Sequence, residues 1–241
     1  MTDNETTKKI RSEKILSSGS GEIDRKLGGG MPLGSLCMIE GDNDTGKSVL
    51  IQQIMWGGLN QGLSITCYTT ENTVKSLIKQ MESLSLDISE YFVVGRLKIF
   101  PIHSEGMKWA NAKDILNTML VSMEKSKADV VMVDSLTVFV SHSNQNDVFD
   151  FFSACKHLCD KGKTILISAH RYAFDEETLI RIRSICDGHL ELRMNEVGDM
   201  LIRTIRVAKI RGAQRSTGNI VSFEVVPEFG LRIIPLTMAR V

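Results

Sequence analysis

No uninterrupted apolar run in this 241-residue chain approaches the ~18 residues that a membrane span requires. Residues Met1 to Lys14 are polar and charged, without the apolar stretch of a secretory signal, so the expected setting is cytoplasmic. There is no CxxC pair. Five cysteines (Cys37, Cys67, Cys155, Cys159, Cys186) form an odd set, and reduced, mostly buried thiols are the plain reading. Net charge is missing too, with 29 Lys+Arg against 29 Asp+Glu. That balance argues against a protein whose whole body embraces a polyanion, while leaving room for a local basic stripe. Repeats, low-complexity tracts and linkers are also lacking. With 42% apolar and 24% charged residues, the chain reads as one globular domain, 1–241, with a polar leader at 1–14.

Apolar patterning sets the expected order of elements. Short buried strands are expected at Leu36 to Glu40, Leu63 to Tyr68, Leu97 to Ile102, Val130 to Val133 and Thr164 to Ser168. Between them lie helical stretches: Val49 to Gly58, Thr73 to Leu84, Ala112 to Ser126 and a helix holding Phe149 to Leu158. Alternating strands and helices call for a mostly parallel, twisted α/β sheet with helices on both faces. From about Gly188 the texture changes to short β-like runs. These read as antiparallel hairpins that complete the sheet or cap its edge.

Gly41-Asp42-Asn43-Asp44-Thr45-Gly46-Lys47-Ser48 matches GxxxxGK[ST] at every defined position, between an expected strand and an expected helix. Such a loop turns successive backbone N–H groups inward around a phosphate, and the helix start adds its positive dipole end. Lys47 is placed to reach β- and γ-phosphates, and the Ser48 hydroxyl to reach Mg²⁺. Asp42 and Asp44 are unusual beside a triphosphate. They are expected either to face solvent or a basic neighbour, or to stiffen the loop through Asx-type turns.

Asp134 closes the apolar run Val130 to Val133 and can hold Mg²⁺ through water ligands; the plainer alternative is a loop cap. Glu71 follows a strand end and is the candidate base that orients water for hydrolysis, or else a residue favoured by a helix dipole. His170 is a candidate γ-phosphate sensor, against the plainer reading of a satisfied loop residue. Arg203, Arg206, Lys209, Arg211 and Arg215 form a basic stripe without an intervening acid. Lys209 and Arg211, two apart, share a strand face. The stripe suits a contact with a neighbour's nucleotide or a solvated face. The absence of aromatics there speaks against single-stranded nucleic acid. Cys155 and Cys159 read as packed thiols, Phe149, Phe151 and Phe152 as a core face, and Trp109 as a possible partner contact.

These residues resemble the RecA/KaiC superfamily of P-loop ATPases over nearly the full chain. The lead-in Gly28-Gly29-Gly30-Met31-Pro32-Leu33-Gly34 is similar to a KaiC-type GGLPxG segment. Asp134-Ser135 resembles the second acidic motif, and Lys209-Ile210-Arg211-Gly212 the basic KxRG segment that reaches a neighbouring subunit's ATP. The phosphate loop and Tyr68 to Thr73 most resemble the accessory ATPases of the archaeal flagellum (archaellum) motor. The resemblance implies a RecA-like core, ATP and Mg²⁺ as cofactors, and a homo-oligomeric ring of six subunits. It also implies stacking on the motor ATPase FlaI beneath the membrane protein FlaJ, peripheral to the membrane and without insertion into it. Thr69-Thr70 stand before a single Glu71 where KaiC-type ATPases usually carry two adjacent acids. This favours slow hydrolysis and a nucleotide-switched role. The rival readings are a robust KaiC/RecA-type ATPase and a DNA-binding recombinase paralogue; the segment from Ser168 to His189 lacks the Gly-rich loop that the latter uses.

Overall fold

The computed structural model describes residues 15–102, 112–197, 200–215 and 220–234. The leader at 1–14, Trp109 and Pro235-Leu236 lie outside them. An antiparallel pair, β1 (Ile15–Leu16) and β2 (Met31–Pro32), brackets α1 (Gly21–Lys26), whose N-cap Ser20 accepts a hydrogen bond from the Ile23 N–H.

The main chain path then runs β3 (Leu36–Gly41), α2 (Lys47–Asn60), β4 (Ile65–Thr69), α3 (Val74–Glu82), α4 (Ser89–Val93) and β5 (Leu97–Pro101). It continues through α5 (Ala112–Lys125), β6 (Val130–Asp134), α6 (Thr137–Ser141), α7 (Gln145–Asp160), β7 (Thr164–His170) and α8 (Glu176–Ile185). Four strands close it: β8 (Gly188–Val197), β9 (Met200–Ile210), β10 (Ile220–Val226) and β11 (Gly230–Ile234). Nine of these strands form one sheet in the order β11-β10-β9-β8-β3-β7-β6-β4-β5.

Strand periodicity explains the two cores. Leu36 and Met38 of β3 point to one face, where Leu116, Met119, Phe139, Phe151, Phe152, Leu179 and Ile182 of α5 to α8 cover them. Cys37 and Ile39 point to the other, against Leu50, Ile51 and Ile54 of α2 and Leu77 and Met81 of α3. Because both faces are covered, the central strands read as unbroken apolar runs rather than alternating ones. Caps fix the helix starts: Thr73 and Ser76 form a capping box on α3, Asn144 caps α7 and Asp175 caps α8.

The tail after Gly188 completes the same sheet through antiparallel pairs, as expected, and its first strand joins that sheet by pairing in parallel with β3 (Cys37↔Gly188 to Gly41↔Leu192). The physical reason is α8, which carries the chain back across the sheet before β8 begins. Its apolar stripe is narrow, essentially Leu179 and Ile182 under a charged exterior, so it leaves a weak periodic signal. Within the main sheet each adjacent pair from β8 to β11 is antiparallel.

Candidate functional site

The parallel strands end side by side, which brings distant residues together. Gly41 of β3 pairs with His170 of β7, and Thr69 of β4 with Asp134 of β6. From α2 the chain crosses to β4 along one face, and from β5 it returns along the other. The carboxyl edge around β3 is therefore a topological switch point, where ligands bind in open α/β sheets. A cleft of about 530 Å³ opens there, lined by Asn43, Asp44, Gly46 to Val49, Glu71, Asn72, Gln80, His170, Arg203 and Val225.

The loop's glycines have steric reasons. A Cβ on Gly41 would lie 2.5 Å from the Leu192 carbonyl oxygen. Gly46, the N-cap of α2, adopts φ 92, a left-handed conformation that costs other residues energy. The Asp42 carbonyl organises the turn, accepting from the Thr45 hydroxyl at 2.8 Å and the Lys47 ammonium at 2.6 Å. Asp42 and Asp44 themselves are exposed. Loop order thus comes from a main-chain carbonyl rather than from Asx turns by the two carboxylates. Lys47 is buried, and burial draws its ammonium below the usual range while Glu71, Asp134, Asp42 and Asp44 pull the other way.

Asp134 lies beside the start of α2. Its Oδ1 accepts from the Ser48 hydroxyl at 3.2 Å and the Ser168 hydroxyl at 2.6 Å. Burial pushes its carboxyl up to about 6, with Glu71 adding repulsion against the Ser168, Ser48 and Lys47 contributions. A buried carboxylate paired with a hydroxyl is a hard-oxygen donor set suited to Mg²⁺, which takes few protein ligands and keeps water. Among the described residues no group of three or more His, Cys, Asp or Glu side chains is arranged to hold a metal. A cation at Ser48 and Asp134 would complete its shell with water and phosphate oxygens.

Glu71 is exposed, with its Oε1 3.3 Å from the Ser135 hydroxyl. Ser135 lies 3.1 Å from the Thr137 hydroxyl, which lies 2.9 Å from His170 Nδ1 and accepts from the His170 backbone N–H at 2.9 Å. The His170 ring stacks on Tyr172 at 5.2 Å, and burial, then the Lys47 charge, lowers its imidazole below the usual range. Glu71 and His170 therefore share one polar chain through the Ser135 and Thr137 hydroxyls, of which sequence reading named only Ser135, as the neighbour of Asp134.

Lys209 and Arg211 do not join this cleft. Lys209 pairs with His189 and Ile210 with Gly188, beside Cys37 at the start of β3, on the sheet edge opposite the phosphate loop. Both reach the carbonyl oxygen of Ser184, Lys209 at 3.5 Å and Arg211 at 3.3 Å, although Arg211 lies just past the end of β9 rather than on the strand. Lys209 also donates to the Arg183 carbonyl at 2.7 Å, which caps the C-terminus of α8.

Two further features escaped sequence reading. Glu40, fully buried immediately before Gly41, is paired with Arg183 and lies 3.3 Å from His189 Nε2. Burial alone would raise its carboxyl; His189 and Arg183 outweigh that and hold it below the usual range. Arg203, placed by the register of β9, donates through Nε to the Asp44 carbonyl at 2.9 Å. Neither signal is local in sequence. The remaining expectations are simpler to place: all five cysteines are free and buried, and Phe151 and Phe152 are core. Phe149 is half-buried under the Arg181 guanidinium, 4.1 Å from its ring centre.

Comparison with known proteins agrees with this architecture. The family described as "ATPase: KaiC" matches residues 16–238. The archaeal flagellar ATP-binding protein FlaH of Sulfolobus acidocaldarius is 32% identical over 94% of this chain and 99% of its own length. FlaH of Methanocaldococcus jannaschii is 27% identical over 88% of this chain and 91% of its own. The crystal structure of the flagellar accessory protein FlaH from Methanocaldococcus jannaschii superposes with a TM-score of 0.82, at 26% identity, covering 92% of this chain and 99% of that one. This chain, with its RecA-like sheet and phosphate loop, belongs to the KaiC ATPase family and, within it, to the FlaH group.

Proposed function

We propose that the protein is an ATP-binding component of the archaeal flagellum motor that hydrolyses ATP slowly and uses bound nucleotide as an assembly switch. The observation that carries this reading is that Lys47, Ser48 and Glu71 line one cleft at the switch point of the sheet, with the buried Asp134 bonded to Ser48 beside it. Backbone N–H groups of Gly41 to Ser48 bind the phosphates, and Lys47 neutralises their charge. Ser48 and Asp134 hold Mg²⁺, which when bound supplies Lewis-acid charge stabilisation at the phosphates. Glu71, steadied by Ser135, orients the attacking water, and His170 reads the terminal phosphate from the Gly41 side. A lone, exposed Glu71 beside two loop carboxylates supports slow turnover.

The whole of 1–241 acts as one domain that assembles into a six-membered ring. Lys209 and Arg211 meet a neighbour's nucleotide rather than their own chain's, a reading supported by their position on the edge opposite the cleft. Among the described residues no helix is long and apolar enough to cross a membrane, which suits a cytoplasmic component docked on FlaI beneath FlaJ.

Electron microscopy of the purified protein with and without Mg–ATP tests this. Rings that require nucleotide, and that fail for Lys47→Ala and for Lys209→Ala/Arg211→Ala, are the expected result. Rings formed equally by Lys47→Ala, after loss of nucleotide binding is verified, would refute the switch. Brisk phosphate release that Glu71→Gln abolishes would favour a robust ATPase instead.

A further inference from the structure

We infer that Arg203 is a second cation of the phosphate cleft, contacting the polyphosphate of a nucleotide bound to its own chain. The inference rests on the nucleotide reading of the cleft. Arg203 lies on β9, far in sequence from the loop, yet it lines the same cleft as Lys47 and Ser48. Its Cδ lies 3.7 Å from where a Cβ on Gly46 would sit. Its Nε donates to the Asp44 carbonyl at 2.9 Å, which fixes the side chain while using one of five guanidinium donors.

Other arginines of this region are committed elsewhere. Arg193 and Arg206 pair with Glu191, and Arg183 with Glu40. Among the described residues Arg203 forms no ion pair, and its one polar contact is to a neutral carbonyl. A half-buried guanidinium so held beside an anion cradle has its forked donors left for phosphate oxygens. The charge balance calls for such a group. Asp42 and Asp44 add two negative charges to the loop, and Lys47 is the only basic residue within it. Lys209 is six residues further along β9, about 20 Å away at strand rise, so it cannot serve the same cleft.

Nucleotide titrations of the full chain with Mg–ATP, at low and high salt, separate the possibilities. Arg203→Gln keeps an N–H donor for the Asp44 carbonyl but loses the charge; Arg203→Lys keeps both. Gln is expected to weaken Mg–ATP binding about tenfold, the worth of one charge-assisted hydrogen bond. Lys should stay within about threefold of the parent, and the Gln deficit should shrink at high salt as screening removes the charge contribution. Unchanged thermal unfolding of both variants checks that the fold is intact. Parent-like binding by Gln overturns the inference. So does an equal loss in Gln and Lys that salt leaves unaltered, which would make Arg203 a brace for the loop. Lys47→Ala serves as the control. If the parent chain binds no better than Lys47→Ala, the nucleotide reading fails and this inference with it; if only the Arg203 variants disappoint, the cleft stands without it.

Discussion

At the scale of single residues, the site is built from charges held in uncomfortable places. Asp134 is almost fully buried, and its carboxyl, at about 6, lies above its ordinary 3.8. Between those values the native state binds more protons than the unfolded chain, so stability falls as pH rises through that window. The two-unit gap corresponds to a cost of about 3 kcal/mol above pH 6. Asp134→Asn removes the charge but keeps an acceptor for Ser48 and Ser168. Without Mg²⁺ it should be more stable than the parent at pH 7.5 by about 1–3 kcal/mol, with the gap closing below pH 4. Urea unfolding across pH checks this, and a variant less stable at pH 7.5 would contradict it. The same substitution is expected to lose Mg–nucleotide retention, a stability–function trade-off typical of functional sites. Glu40 has the opposite sign: its lowered carboxyl contributes stability above its unfolded pKa, and that contribution fades as pH falls through its folded one. A sequence reader meets Glu40 merely as the last residue of a strand, because Arg183 lies 143 positions away.

At the scale of elements, the decisive join is the turn from β3 into α2. Gly46 caps α2 with a left-handed backbone, and a Cβ there would come within 3.0 Å of the Phe223 ring. Gly46→Ala should therefore cost about 1–2 kcal/mol of stability from the backbone alone, measurable as a lower denaturant midpoint with an unchanged slope. An unaltered midpoint would show that the loop has another relaxed conformation available. This join was legible in sequence, because glycine spacing and a following apolar helix are local signals. The strands carrying Asp134 and preceding Glu71 were legible for the same reason. Helix α8 was not: only Leu179, Ile182 and the Thr178 position turn inward, and its ion pair and carbonyl caps come from β3 and the end of β9. Without α8, β8 reads only as one arm of its hairpin with β9; its other edge adds a sixth parallel strand to the sheet.

At the scale of the whole molecule, topology turns separate motifs into one place. The sheet order sends α2 and α3 to one face and α5 to α8 to the other. The ends of β3, β4, β6 and β7 therefore meet around the phosphate loop, while Lys209 and Arg211 fall on the far edge. Sequence order alone shows neither the meeting nor the separation; both follow from register, which is why Arg203 went unassigned beside Lys209 in one basic stripe. The account stands on the cleft gripping a magnesium-bearing nucleotide. A ligand that binds the folded chain alone stabilises it by about 2.7 kcal/mol at ~100 times its dissociation constant. The direct measurement is unfolding of the parent chain and Lys47→Ala with and without Mg–ATP: the account predicts that rise for the parent and none for the variant, and it is contradicted if the parent does not move or both move alike.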